Sequence, residues 1–174
     1  MGNLKMKKYA IAALLLFMLV SPVFAALKLN DSAPVFSLRD GEGKDFYLGA
    51  AVGAQSGEEG KGVILSFFAS WCVPCRNELP LINSLTDELT GKGIKVVIVG
   101  FKEDFDQIGE LLKELGVTKP LVLSDRYGKV GEKYGVRFLP TTFFIGADGK
   151  VKDMIFGELK DAAELKSIAG KLLQ

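Results

Sequence analysis

The segment Trp71-Cys72-Val73-Pro74-Cys75 holds both cysteines of the chain, two residues apart and directly after an apolar run. A tetrahedral zinc site takes four Cys/His ligands, and a chain with two cysteines and no histidine cannot supply them. A structural staple normally closes a longer loop, because a two-residue loop removes little chain entropy. What remains is a dithiol that passes between reduced and oxidised forms, so the pair points to thiol–disulfide exchange. Such a dithiol is its own redox group, and the expectation is that no cofactor or metal is needed.

The elements that must position the pair follow from the hydrophobic pattern. Val63 to Phe68 is β-branched and aromatic, as a buried strand requires, and a helix is predicted from Val73 to about Thr90. Its apolar positions Leu79, Ile82, Leu85 and Leu89 share one face, and Gly91 and Gly93 stop it. Ile94 to Val99 reads as the next buried strand. Asp104 or Asp106 then opens a helix ended by Gly116. Leu121 to Leu123 is extended and Val130 to Tyr134 a short helix. Thr141 to Ile145 and Val151 to Phe156 form a hairpin about Asp148-Gly149, and a last helix runs from Asp161 to about Leu173. Upstream, Val35 to Leu38 and Lys44 to Leu48 flank Asp40-Gly41-Glu42-Gly43 as a hairpin. The stretch from Gly49 to Gly62 reads as a flexible loop. Strands alternating with helices imply an α/β fold, a mixed central sheet flanked by helices.

The amino terminus carries Lys5, Lys7 and Lys8, then an uncharged run from Tyr9 to Val20, then Ser21-Pro22-Val23-Phe24-Ala25. This is the pattern of a signal peptide cleaved after Ala25. The uncharged run reaches Leu27, close to the roughly 20 residues that span a bilayer, so an uncleaved anchor is the alternative. In both cases residues 26–174 form one exported domain, in the periplasm or on the outer face of the cytoplasmic membrane. No cysteine stands directly after the apolar run, which excludes a lipid anchor on cysteine there. Residues 26–174 carry 19 basic and 21 acidic residues. That balance predicts neither nucleic-acid binding nor a polybasic membrane patch.

The segment from Val63 to Pro80, with Phe67-Phe68-Ala69-Ser70-Trp71-Cys72-Val73-Pro74-Cys75-Arg76, resembles the active-site strand and helix of the thioredoxin superfamily. Gly135-Val136-Arg137-Phe138-Leu139-Pro140-Thr141-Thr142-Phe143 resembles its cis-proline loop. Cys75-Arg76-Asn77-Glu78-Leu79-Pro80, the opening Ala33-Pro34-Val35-Phe36-Ser37-Leu38 and the late Phe144-Ile145-Gly146-Ala147-Asp148-Gly149-Lys150-Val151 are similar to the exported TlpA/ResA-like thiol–disulfide oxidoreductases. The resemblance covers essentially residues 30–174. It implies a thioredoxin fold with an N-terminal β-hairpin extension.

At a helix N-terminus, unpaired N–H groups and the macrodipole favour a thiolate, so Cys72 is the expected nucleophile and Cys75 the resolving thiol. Pro74 suits the first helical turn, where no N–H is needed. Glu78 follows Cys75 by three residues and shares its helical face. Spacing alone favours a solvated glutamate there. The resemblance instead implies a partly buried carboxyl near the thiols, able to exchange protons with them. Ser66 stands where ordinary thioredoxin has a buried aspartate, leaving Glu78 as the replacement. The resemblance also implies a cis Leu139–Pro140 bond, with the Leu139 backbone free to pair with an extended substrate. Trp71 is expected to shield the thiols and offer a contact surface, with plain packing as the alternative. Pro80 is expected to kink the helix. Lys102, Glu103 and Asp104 read as a solvated loop with a helix cap, ahead of a role in tuning the thiols.

The resemblance implies a monomeric reductase of protein disulfides, such as the Cys-x-x-Cys-His motif of apocytochrome c, re-reduced by a membrane electron donor. Two rivals stand beside it. A thiol peroxidase of the same fold needs a threonine three residues before its reactive cysteine and a proline further upstream, where this chain has Ala69 and Leu65. A non-catalytic chaperone or adaptor has no use for an intact cysteine pair.

Overall fold

The computed structural model describes residues 27–53 and 60–174. The proposed leader and the middle of the predicted Gly49–Gly62 loop lie outside the described residues. No helix among those described is long and apolar enough to cross a membrane.

Five strands build the central sheet: β3 (Gly62–Phe68), β4 (Ile94–Phe101), β5 (Leu121–Asp125), β6 (Thr141–Gly146) and β7 (Val151–Phe156). They lie in the order β5-β4-β3-β6-β7. β3 runs parallel to β4 and β4 to β5, while β6 is antiparallel to both β3 and β7. A separate two-stranded hairpin joins β1 (Ser37–Arg39) to β2 (Asp45–Tyr47). These strands are shorter than the pattern predicts. The hairpin turn is made by the Asp40 carboxylate, which accepts the N–H groups of Glu42 and Lys44, and by Gly43 at φ 81°. A single bridge between Asp40 and Leu123 ties the hairpin to β5.

The helices are α1 (Leu48–Ala51), α2 (Val73–Gly91), α3 (Phe105–Glu114), α4 (Lys129–Lys133) and α5 (Ala162–Ala169). α1 corrects the loop reading: Leu48 is fully buried and pulls the start of that glycine-rich stretch into a helical turn, while Gly62 already belongs to β3. The last predicted helix is α5 followed by a 3-10 turn, Gly170–Leu173. Asp104 caps α3 through a reciprocal box with Gln107. α2 continues through Pro80, whose missing N–H withdraws the intrahelical donor to the Arg76 carbonyl.

Alternation along the strands sorts the core into two layers. Ile64, Phe68, Val96, Ile98 and Phe144 point to the side covered by α2, α3 and α5. Val63, Leu65, Phe67, Val97, Val99, Phe143 and Ile145 point to the side covered by the hairpin and α4. On that second side Tyr134 stacks edgewise on Phe143 and Phe36, and its hydroxyl donates to the Pro34 carbonyl at 3.0 Å. The same parity puts Ser66 and Thr142, which are register partners, on the α2 side. Two hydroxyls therefore face the helix that carries the cysteines.

Candidate active site

β3 delivers the chain to the thiols. Phe68, its last residue, lies beside Gly100, and Gly100 beside Ser124, so β3, β4 and β5 end level with one another. The cysteines sit just past that edge. Cys72 and Cys75 are joined in a disulfide, with Cys72 as the N-cap of α2. The Cys75 N–H meets Cys72 Sγ at 3.3 Å. In the reduced protein that N–H and the helix dipole would bear on a Cys72 thiolate. Cys72 is 4% exposed and Cys75 fully buried, so a partner reaches Cys72 first. Around them the surface is apolar: Trp71 and Val73 are 71% and 68% exposed. Trp71 is thus not a packing residue.

Glu78 is 1% exposed and lies on the Cys75 face of α2. Its Oε1 accepts from Ser66 Oγ at 3.0 Å and lies 3.3 Å from Thr142 Oγ1. Oε2 accepts the Leu159 N–H at 2.9 Å. Burial raises its pKa above the ordinary carboxyl value, and the negative charge of Glu158 raises it further. The bonds from Leu159, Ser66 and Thr142 oppose that rise without cancelling it. Spacing alone favoured a solvated side chain. Tertiary structure overrides this because α2 presses that face onto Ser66 and Thr142, and the loop after β7 closes over it with Leu159.

The Leu139–Pro140 bond is cis and immediately precedes β6, whose Thr141 is the register partner of Phe67 near the end of β3. The loop therefore lies at the same end of the sheet as the cysteines. Leu139 is half-buried against both core layers, and its backbone N–H and C=O enter no hydrogen bond among the described residues. Phe138 beside it is 71% exposed.

The solvated-loop reading is corrected at Glu103. It is 3% exposed, and its carboxylate takes the Ser70 N–H at 2.7 Å and the Ser70 hydroxyl as well. Its own carbonyl accepts from Ser124 Oγ at 2.7 Å. Glu103 thus ties the end of β4 to the residue before Trp71, and it fixes where the cysteine loop leaves the sheet. Lys102 adopts φ 61° and pairs with Glu132 at 3.5 Å. Thr142 and Leu159 were not singled out from the sequence. Strand parity with Ser66 could have found Thr142, whereas nothing local marks the Leu159 N–H.

A mixed five-stranded sheet with a Cys-x-x-Cys disulfide opening the helix after its central strand defines a thioredoxin-fold thiol–disulfide oxidoreductase. A family model described as the AhpC/TSA family matches residues 29–154. The chain is 36% identical over 134 residues to the thiol-disulfide oxidoreductase ResA of Geobacillus thermodenitrificans, covering 77% of this chain and 72% of that one. It is 32% identical over 149 residues to ResA of Bacillus subtilis, covering 84% and 79%. Among solved structures, a putative thiol:disulfide interchange protein DsbE from Chlorobium tepidum superposes with a TM-score of 0.74 at 29% identity, covering 86% of this chain and all of that one. The chain belongs to the AhpC/TSA family and is a ResA-like thiol–disulfide oxidoreductase.

Proposed function

We propose that this chain is an exported reductase of protein disulfides, with Cys72 as nucleophile, Cys75 as resolving thiol and Glu78 as the group that exchanges protons with them. The observation that carries the reading is the placement of the disulfide: at the N-terminus of α2, with Cys72 outermost, between exposed Trp71 and Val73. A Cys72 thiolate attacks one sulfur of a client disulfide, forming a mixed disulfide and expelling the other client sulfur as thiolate. Cys75 then loses its proton and attacks Cys72 Sγ. The Cys72–Cys75 disulfide forms, the second client sulfur leaves, and two electrons have passed to the client. Glu78, ionised above its raised pKa, takes up the Cys75 proton from the same helical face.

Trp71 and the Leu139–Pro140 loop provide the client contact. Leu139 offers an unengaged N–H and C=O to an extended segment, as in strand addition. The leader pattern and the resemblance of the motifs to exported TlpA/ResA-like oxidoreductases support a site outside the cytoplasmic membrane. There the client is a selected one, with the Cys-x-x-Cys-His motif of apocytochrome c as the leading candidate, and a membrane donor restores the dithiol. Peroxidase chemistry is disfavoured by Ala69 and Leu65, both buried alkyl side chains where such an enzyme needs a hydroxyl and a proline.

Insulin-disulfide reduction tests the activity, and a Cys75→Ser variant tests the roles. That variant should accumulate mixed disulfides through Cys72 that mass spectrometry can identify. Equal trapping by Cys72→Ser would overturn the assignment, and absence of insulin reduction with both cysteines intact would favour an adaptor.

A further inference from the structure

A second feature lies at the same end of the sheet and takes no part in the chemistry above. Between the hairpin and α4 runs a groove of about 390 Å³. Phe36, Leu38 and Val130 provide apolar lining, and Arg126, Lys129 and Lys133 provide cations. The Arg126 guanidinium lies over the exposed Tyr127 ring, 6.0 Å from its centroid. All three cations are exposed, and none enters an ion pair among the described residues. The acids of this segment are already engaged. Asp125 is buried and accepts the Gly131 N–H at 2.8 Å, and Glu132 pairs with Lys102. Residues 125–137 carry Arg126, Lys129, Lys133 and Arg137 against Asp125, which lines the groove but is buried, and Glu132, in a domain whose overall balance is slightly negative.

Two placements connect the groove to the thiols. β5 ends level with β3, two strands away, which is about 10 Å at ordinary strand spacing, or about three residues of extended chain. The chain leaving α4 also runs on within a few residues to Phe138 and the Leu139–Pro140 loop. The groove therefore opens at the end of the sheet where a polypeptide would be held by Cys72 and that loop. Apolar lining with three exposed cations against the one buried carboxylate of Asp125 fits a segment that brings both a large apolar side chain and carboxylates.

We propose that this groove docks an acidic, apolar-bearing segment of the client polypeptide, beginning about three to five residues from the cysteine that Cys72 attacks. The inference rests on the disulfide-reductase reading and adds the chemistry of the client.

The test uses three synthetic peptides with one common disulfide loop, followed at that distance by an acidic–aromatic, a neutral or a basic–aromatic tail. Wild-type protein should reduce the acidic peptide on the order of tenfold faster than the neutral one at low ionic strength. High salt should erase the advantage. Lys129→Glu/Lys133→Glu should erase it too, leaving the neutral peptide's rate unchanged and the circular dichroism spectrum native. Arg126→Glu, in the turn between β5 and α4, should act in the same direction. Equal rates for acidic and neutral peptides would overturn the proposal, as would a preference that survives charge reversal. If no peptide is reduced, the reductase reading fails. The groove is then judged by fluorescence anisotropy with a labelled acidic peptide whose cysteines are serines: binding lost on charge reversal upholds it, and no binding sinks it.

Discussion

Replacing Glu78 by glutamine keeps the shape of a buried side chain and removes its charge. The amide oxygen can still accept the Leu159 N–H, and its NH₂ faces Ser66 and Thr142, whose hydroxyls rotate to accept. With every polar atom still partnered, the structural cost should be about 1 kcal/mol or less. The electrostatic effect is larger. Residues three apart on a helix have Cβ atoms about 5–6 Å apart. Two negative charges about 6 Å apart at an effective dielectric of about 20 repel by roughly 2.8 kcal/mol, equivalent to about two pKa units. Ionised Glu78 thus opposes a Cys75 thiolate, and Glu78→Gln should lower the Cys75 pKa by roughly one to two units, the lower figure allowing for solvent beside Cys72. The assay is the thiolate ultraviolet absorbance against pH in a Cys72→Ser background. The difference should exist only above the raised Glu78 pKa, because a protonated carboxyl repels nothing. Stability supplies a second check. Burial raises the Glu78 pKa above 4.5, so its contribution is fully present below 4.5 and is lost as pH climbs through the raised value. The glutamine variant lacks that loss and should gain on wild type as pH rises. Superimposable thiol titrations would refute the coupling, and a stability gap moving the other way would refute the buried-acid account.

Glu103→Gln weakens the charged acceptor of two bonds from Ser70 and should cost about 1.5–3 kcal/mol in denaturant unfolding, with Ser70→Ala costing less. If Glu103 is only a solvated loop residue, neither change will shift the midpoint. Trp71→Ala should leave stability unchanged, because the ring is exposed, yet raise KM for a protein disulfide by roughly fivefold, about 1 kcal/mol of lost contact. A small disulfide such as hydroxyethyl disulfide should be reduced as before, and an equal loss on both substrates would place Trp71 in the chemistry instead. Asp104→Ala removes the α3 cap and should cost about 1 kcal/mol by denaturant titration without altering the rate of disulfide reduction.

Local chemistry was legible in the sequence wherever it depends on near neighbours. The count of two cysteines and no histidine excluded a four-ligand zinc site, and the two-residue spacing argued against a staple. The buried face of α2 was set by apolar spacing, and Asp161 marked a helix start that the structure shows it capping. Of the two candidates Asp104 and Asp106, the structure selects Asp104 as the cap of α3. The glycine-rich stretch after Tyr47 misled, because composition signals a loop while a buried Leu48 makes it a helical turn.

The cysteine pair and its place at a strand-to-helix junction were therefore determined by the sequence itself, since they depend on spacing and on the hydrophobic period. The surroundings that govern its reactivity were decided by the tertiary structure. Glu78 is held by Leu159, 81 residues away, and Ser70 is held by Glu103, 33 residues away. The groove needs β1 brought beside the end of β5. A side chain is solvated or buried according to which distant segment packs over it, and that partner has no local signature.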